Sequence, residues 1–147
     1  MEATRQAAPQ AAEFVIRPFD ADDTAFLFKS WLDSYRYSDW GKQFDSRTYY
    51  DGHHAVIERV LSRPDTRVVV ACLPDAQFVD LGFAVGQADI LHFVYVKRNA
   101  RQFGVGSALL EALDLPPNPR ITHVTGDWFR AFKARFPGSR WNPYLLH

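Results

Sequence analysis

Leu91-His-Phe-Val-Tyr-Val-Lys-Arg-Asn-Ala-Arg-Gln-Phe-Gly-Val-Gly-Ser-Ala-Leu-Leu110 carries an extended apolar run, a basic turn and the start of a helix without interruption. The aromatic and β-branched residues before Lys97 favour a strand. Beyond the turn, Val105, Ala108, Leu109, Ala112 and Leu113 recur at helical spacing and predict a helix over 103–113. Its first turn holds Gly104 and Gly106. The leading N–H groups of a helix have no intrahelical partner and sit at the positive end of its dipole, so they attract phosphate. A glycine there lets a pyrophosphate approach the backbone closely, and Ser107 adds a hydroxyl. Two familiar phosphate loops are excluded by spelling. A dinucleotide fingerprint requires a third glycine where Leu109 stands, and a Walker loop requires Gly-Lys-Ser/Thr where Gly106-Ser-Ala stands.

Working outward, Phe14–Arg17 reads as a first strand ended by Pro18, and Asp20, Asp22 and Asp23 supply helix-capping chemistry. Phe26, Leu27, Trp31, Leu32 and Tyr35 mark a first helix. A second covers 48–62 with Val56, Ile57, Val60 and Leu61 as its buried stripe. Strands follow over 66–73, 78–86 and 89–96. After the glycine turn and its helix, Pro116, Pro117 and Pro119 end the helical pattern, and a strand is expected over 121–125, a helix over 127–136 and a last strand over 141–146. The order β-α-α-β-β-β-α-β-α-β predicts a mixed α/β (α+β) fold. Short turns make the middle strands antiparallel, and the strand–helix–strand unit over 90–125 makes a parallel crossover. Met1–Ala12, rich in Ala and Gln, reads as a disordered leader, leaving 13–147 as one domain.

The chain has 147 residues, within the usual range for one domain. Lys plus Arg equal Asp plus Glu at 17 each, which argues against a nucleic-acid partner. The balance is uneven: residues 1–96 hold 9 basic and 14 acidic side chains, and residues 97–147 hold 8 and 3, giving −5 and +5. A basic final third suits a small anionic ligand. Cys72 is the single cysteine, so no intrachain disulfide or cysteine-based zinc cluster is available, and it reads as a small core residue. His53-His54 has no third ligand at metal spacing and reads as a solvated helix face, so no metal is expected. No apolar run approaches the ~20 residues of a membrane span, and the amino terminus lacks a signal-peptide core, so no membrane partner and a cytoplasmic location are expected.

Arg101-x-x-Gly104-x-Gly106, preceded by Val94-Tyr95-Val96 and followed by Ser107-Ala-Leu-Leu110, closely resembles the acyl-CoA motif of the GNAT acetyltransferase superfamily. Ile16-Arg17-Pro18 with Asp22-Asp23 resembles the start of such a domain. Thr122–Thr125 and Trp141–Tyr144 resemble short phage-encoded members. The resemblance implies a mainly antiparallel sheet with helices on both faces, splayed between the fourth and fifth strands. It implies acetyl-CoA as cosubstrate and transfer of the acetyl group to a primary amine by direct attack. The pantetheine would pair with backbone around Val94, Tyr95 and Val96. The pyrophosphate would lie on Arg101, Gln102, Phe103, Gly104, Val105, Gly106 and Ser107.

Where the family commonly carries a tyrosine, on the helix after the fifth strand, this chain has Phe129, Phe132 and Phe136. Tyr144 is then the candidate acid for the leaving thiolate. His92, on the strand before the motif, and His123, on the next strand, are candidate bases, because imidazole titrates near neutral pH. The missing tyrosine also admits an alternative, a degenerate acyl-CoA-binding sensor or interaction module. The acceptor is expected to be a small amine or a protein amine, with a dimer compatible. Trp31, Tyr35, Tyr37, Trp40, Tyr49 and Tyr50 beside Asp33, Asp39, Asp45 and Asp51 suggest a cage for a cationic amine.

Overall fold

A computed structural model describes residues 13–147, apart from the side chain of Asp127, so the expected leader at Met1–Ala12 lies outside the described residues. The elements are β1 (Val15–Pro18), α1 (Thr24–Arg36), α2 (Ser46–Ser62), β2 (Thr66–Cys72), β3 (Asp80–Gln87), β4 (Ile90–Val96), α3 (Val105–Leu113), β5 (Arg120–Ile121) and α4 (Gly126–Arg135). One sheet runs β1-β2-β3-β4-β5, antiparallel throughout except for the parallel β4–β5 pair. This is the mixed α/β sheet with the late parallel crossover expected from the order of elements.

Two of the expected strands differ from the structure. The fifth strand is only Arg120–Ile121. The expected last strand at 141–146 is instead a single bridge at Trp141 followed by a 3-10 turn, Pro143–Leu146. Pro143 lacks an N–H for a ladder, and the Asn142 side chain accepts from Tyr144 N (3.1 Å), which favours the turn over an extended run.

The sheet is covered on both faces. α1 and α2 bury Leu27, Trp31, Tyr35, Tyr49, Ile57 and Val60 against Val70, Phe83, Val85 and Phe93. α3 and α4 bury Val105, Leu109, Leu113 and Phe132 against Ala71, Ala84, Leu91 and Ile121. Cys72 is buried, in keeping with a core role. α2 begins at Asp45, whose carboxylate accepts from Thr48 N (2.7 Å). At the far edge, Arg17 donates two hydrogen bonds to Asp23 (2.7 Å each) and one to Asp80 (3.0 Å), tying β1 to β3 and to the turn before α1. That pairing holds the Asp23 carboxyl below its ordinary range, while burial and the neighbouring Asp23 push Asp80 up to about 6.

Register in the sheet changes once along β4. Val85 faces Phe93, and Gly86 faces Leu91, so His92 is one extra residue with no partner on β3. A bulge of this kind bends a strand and redirects its side chains. Leu91 packs on the α3 face, and Phe93, two residues on, packs on the α1 face. An unbroken strand would put both on the same face.

Candidate functional site

The bulge divides β4 into two regions. Beyond it, Lys97 N donates to Leu81 O (2.8 Å), and Tyr95 and Phe93 stand opposite Phe83 and Val85. By antiparallel alternation, the backbone groups of Phe93 and Tyr95 then face β3, and those of Val94 and Val96 face the opposite edge. β5 pairs only with Ile90 and Leu91. The edge at Val94–Val96 therefore has no strand beside it, and the sheet opens between β4 and β5.

A cleft of about 790 Å³ fills the opening. Phe93–Val96 line one wall, Gly104–Ser107 the end, and Thr125, Gly126, Trp128 and Phe132 the far wall. Nine of the ten residues expected at the cofactor line it: Val94, Tyr95, Val96, Arg101, Gln102, Gly104, Val105, Gly106 and Ser107. Phe103 does not.

The turn is built for backbone exposure. Gln102 (φ 73°) and Gly104 (φ 84°) both adopt the left-handed region, which costs a non-glycine residue ~1–2 kcal/mol. A Cβ on Gly104 would meet nothing within 4 Å, so the space above that backbone is open. No side chain caps α3, and none caps α4, whose first turn also lines the cleft. The N-terminal turns of two helices thus line one space, with Arg101 and Arg135 on its walls. Arg101 has a further task. Its Nε donates to Val96 O (2.8 Å), fastening the turn to the end of β4.

At the bulge the chemistry is sealed. His92 is fully buried and lines neither the cleft nor a second, smaller cavity. Its Nε2 lies 2.9 Å from Gln87 Oε1 and its Nδ1 2.9 Å from Thr122 Oγ1. Thr122 Oγ1 is 2.8 Å from His123 Nδ1, and His123 Nε2 is 2.8 Å from His53 Nε2. Burial lowers His53 and His92 to about 4 and holds His123 well below the ordinary imidazole value. His123 is boxed in by Trp31, Tyr35 and Phe93, with ring centroids 5.1, 4.7 and 5.7 Å away. All three imidazoles are neutral at pH 7. His53, expected with His54 on a solvated helix face, is instead buried and stands in the same row as Tyr49, Ile57 and Val60. Extending the α2 stripe back one turn would have placed it inside. His54, its neighbour, is the solvated one and faces Glu58 (3.5 Å).

The smaller cavity, about 190 Å³, lies beneath Trp40 and Tyr144 and has His53 in its lining. Tyr144 is 80% exposed on the C-terminal turn and lines this cavity, not the cleft. Tyr37, 81% exposed, is the tyrosine of the α1 segment that lines the cleft, beside Ser34 and Ser38.

The expected cage of rings and acids does not form. Trp31, Tyr35 and Tyr49 are core residues. Asp33 is held by Lys29 (2.8 Å) and the Tyr50 hydroxyl (3.1 Å), Asp39 by Lys42 (3.1 Å), and Asp51 faces Arg47 (3.7 Å). Asp45 is spent on the α2 cap. Residues spaced three or four apart on a helix pair locally, and here that pairing prevails over convergence. Among the described residues, no group of three or more potential ligands could hold a metal, and no helix is long and apolar enough to cross a membrane.

No protein-family model matches the chain, and no curated relative matches its sequence. Solved structures do match. A Pyrococcus furiosus protein assigned as an acetyl transferase superposes with a TM-score of 0.59 at 18% identity, over 84% of this chain and 91% of that one. The PaiA N-acetyltransferase of Thermoplasma acidophilum, solved with coenzyme A, gives 0.47 at 22% identity over 69% and 70%. AAC(6')-Iy, solved with a bisubstrate analogue of CoA and acetylneamine, gives 0.45 at 19% over 69% of each chain. Identities this low speak of architecture. With the splayed mixed sheet and the glycine turn at its open edge, this chain has the GNAT acetyltransferase fold.

Proposed function

We propose that the protein is an acetyl-CoA-dependent N-acetyltransferase acting on a primary amine. One observation carries the reading: a single cleft joins the strandless edge Val94–Val96 to the uncapped start of α3 at Gly104–Ser107. An anionic, extended cosubstrate with a strand-like arm and a pyrophosphate fits both ends. The pantetheine amides would pair with the outward C=O group of Val94 and the N–H of Val96, as an added strand does. The pyrophosphate would accept from backbone N–H groups between Gln102 and Ser107.

The thioester carbonyl, at the end of the arm remote from the pyrophosphate, would lie against the Val94 N–H. A preorganised donor of this kind contributes ~3 kcal/mol to comparable acyl transfers. The amine nitrogen attacks the carbonyl carbon, the carbon–sulfur bond breaks, and CoA leaves as thiolate. Among the described residues the cleft lining offers no carboxylate or imidazole, so the proton released by the amine passes to water at the open mouth. His92 and His123, the bases expected from sequence, act in this reading by positioning β4 and β5. Tyr37 replaces Tyr144 as the donor to the thiolate, because its ring lines the cleft and that of Tyr144 does not.

The absence of a base among those lining residues also favours the second reading, an acyl-CoA-binding module without turnover. Calorimetry with CoA followed by thiol release from acetyl-CoA across a panel of amines separates the outcomes. Binding with release supports the transferase, binding without release the module, and no binding overturns both.

A further inference from the structure

Each atom in the buried chain from Gln87 to His53 has its donor or acceptor role set by one anchor. Gln87 Nε2 donates to Asp65 Oδ1 (2.9 Å), and Gln87 Oε1 accepts from Arg63 (2.9 Å). A guanidinium can only donate, so the oxygen of the amide is the atom facing His92. His92 Nε2 must therefore carry the hydrogen, which leaves its Nδ1 as an acceptor. Thr122 fills that acceptor with its hydroxyl hydrogen and in turn accepts from His123 Nδ1–H. His123 Nε2 is then bare and accepts from His53 Nε2–H. A neutral imidazole has one N–H, so His53 Nδ1 is left with a lone pair.

That nitrogen makes no hydrogen bond among the described residues. The sealed, unpartnered side-chain atoms among them are Trp31 Nε1 and Ser139 Oγ, so His53 Nδ1 opens on the cavity that its ring lines. His53 itself is 7% exposed. Tyr35, Trp40, Val56, Thr122, Pro143, Tyr144, Leu146 and His147 complete the lining, which holds no Asp, Glu, Lys or Arg side chain. An apolar cavity of ~150 Å³ accommodates a benzene ring. At about 190 Å³, this one has room for a ring with a few more atoms.

We propose that the smaller cavity is a binding site for an uncharged, flat aromatic molecule carrying one N–H or O–H, which donates to His53 Nδ1. The site goes beyond acetyl transfer and does not depend on it. A ligand offering only an acceptor would set its lone pair against that of the imidazole. A charged one would lose its hydration without an Asp, Glu, Lys or Arg side chain to pair with. The same positioning extends to Gln87 and Thr122, because they fix which nitrogen of His53 is bare.

Indole and benzofuran test the assignment, since they share a shape and differ in offering N–H or oxygen. Calorimetry on the full chain without any CoA should show indole binding at least ~10-fold more tightly, the scale of one buried hydrogen bond. His53→Phe should remove that preference while leaving benzofuran within about threefold. Long-range proton–nitrogen spectra of the unaltered protein supply a readout that needs no variant. His53 should be the Nε2–H tautomer, and its Nδ1 resonance should move on adding indole. Equal affinities, no binding of either probe, or an Nδ1–H tautomer at His53 would each overturn the proposal. Loss of acetyl transfer alone bears only on the larger cleft.

Discussion

The two ends of β4 contrast in what they present. From Val94 to Val96 the strand offers backbone groups to an open cleft, and its side chains serve the cores on either side. Around His92 the backbone is bulged, and the chemistry is carried by side chains closed off from solvent. The open end uses atoms that every residue has, so only the absence of bulk at glycine matters there. The closed end depends on particular side chains brought from β3, β4, α2 and the segment after β5. A substitution at one end should therefore register in ligand binding, and at the other in stability.

The strongest break in that contrast should come from Gly104→Asp. The residue sits at φ 84° in open space, so an aspartate there can be accommodated while its carboxylate meets the pyrophosphate. CoA affinity measured by calorimetry should fall at least ~100-fold, with an unchanged near-ultraviolet dichroism spectrum. Unaltered affinity in the folded variant would place the cosubstrate elsewhere. Tyr37→Phe is expected to lower kcat by about 5–10-fold with CoA affinity unaltered. The effect is modest because a thiol with an ordinary pKa of ~8.5 leaves readily without help. Tyr144→Phe is the matched control, and a larger loss there would reverse the assignment of the acid.

At the closed end, Thr122→Val keeps the shape and removes the hydroxyl that serves both His92 and His123. Two buried imidazole nitrogens would lose their partner at ~1–3 kcal/mol each. Tm should drop by about 10 °C, with CoA affinity within threefold. A variant with full stability would show that the histidine chain does not hold the sheet together.

Acid should act on the same region. Unfolded histidines titrate near 6.5, while burial lowers His53 and His92 to about 4 in the fold and holds His123 well below its ordinary value. Between those values the unfolded chain binds more protons, so the stability these groups contribute is complete above 6.5 and declines as pH falls toward 4. Asp80, raised to about 6, works the other way between its unfolded value of 3.8 and 6, one carboxyl against three imidazoles. Tm should fall by roughly 5 °C from pH 7 to pH 5, and Thr122→Val should change the slope. The smallest effects are expected from Asp33→Asn and Asp39→Asn. Each carboxylate already has a lysine, so KM for any amine acceptor should move less than twofold even at low salt.

The contrast also explains what could be read from the letters alone. The open end was legible because Gly104 and Gly106 lie close together and one turn makes the site. The order of strands and helices followed from changes in apolar period, and the mixed sheet with its parallel crossover matches it. The closed end was not legible in the same way. His53, His92 and His123 come together only through the pairing of β4 with β5 and the seating of α2, contacts between residues up to 70 positions apart. The reach of pairing is likewise not written in composition: residues 121–125 have the composition of a strand, but β5 is Arg120–Ile121 and only those two residues pair with β4. The acids of residues 33–51 look convergent only if their neighbours are passed over: Lys29, Lys42 and Arg47 stand three or four residues from Asp33, Asp39 and Asp51, and that local pairing is legible in the spacing.

The extra residue in β4 works like a frameshift in the strand's alternation. Up to Leu91 the odd positions belong to the α3 side, and from Phe93 onward they belong to the α1 side. Were His92 instead to take a place in the ladder opposite Val85, the count would be unbroken and every later residue would turn over. Phe93 and Tyr95 would then be driven into the layer where Leu109 and Ala84 leave little room, and Val94 and Val96 would be moved to the aromatic layer. The outward amides would pass to the neighbouring positions, so the strand would present its hydrogen bonds one residue out of step with the glycine turn. Parity along the strand, more than the chemistry of the histidine occupying the bulge, keeps the arm-binding edge and the phosphate-binding turn aligned for the same ligand.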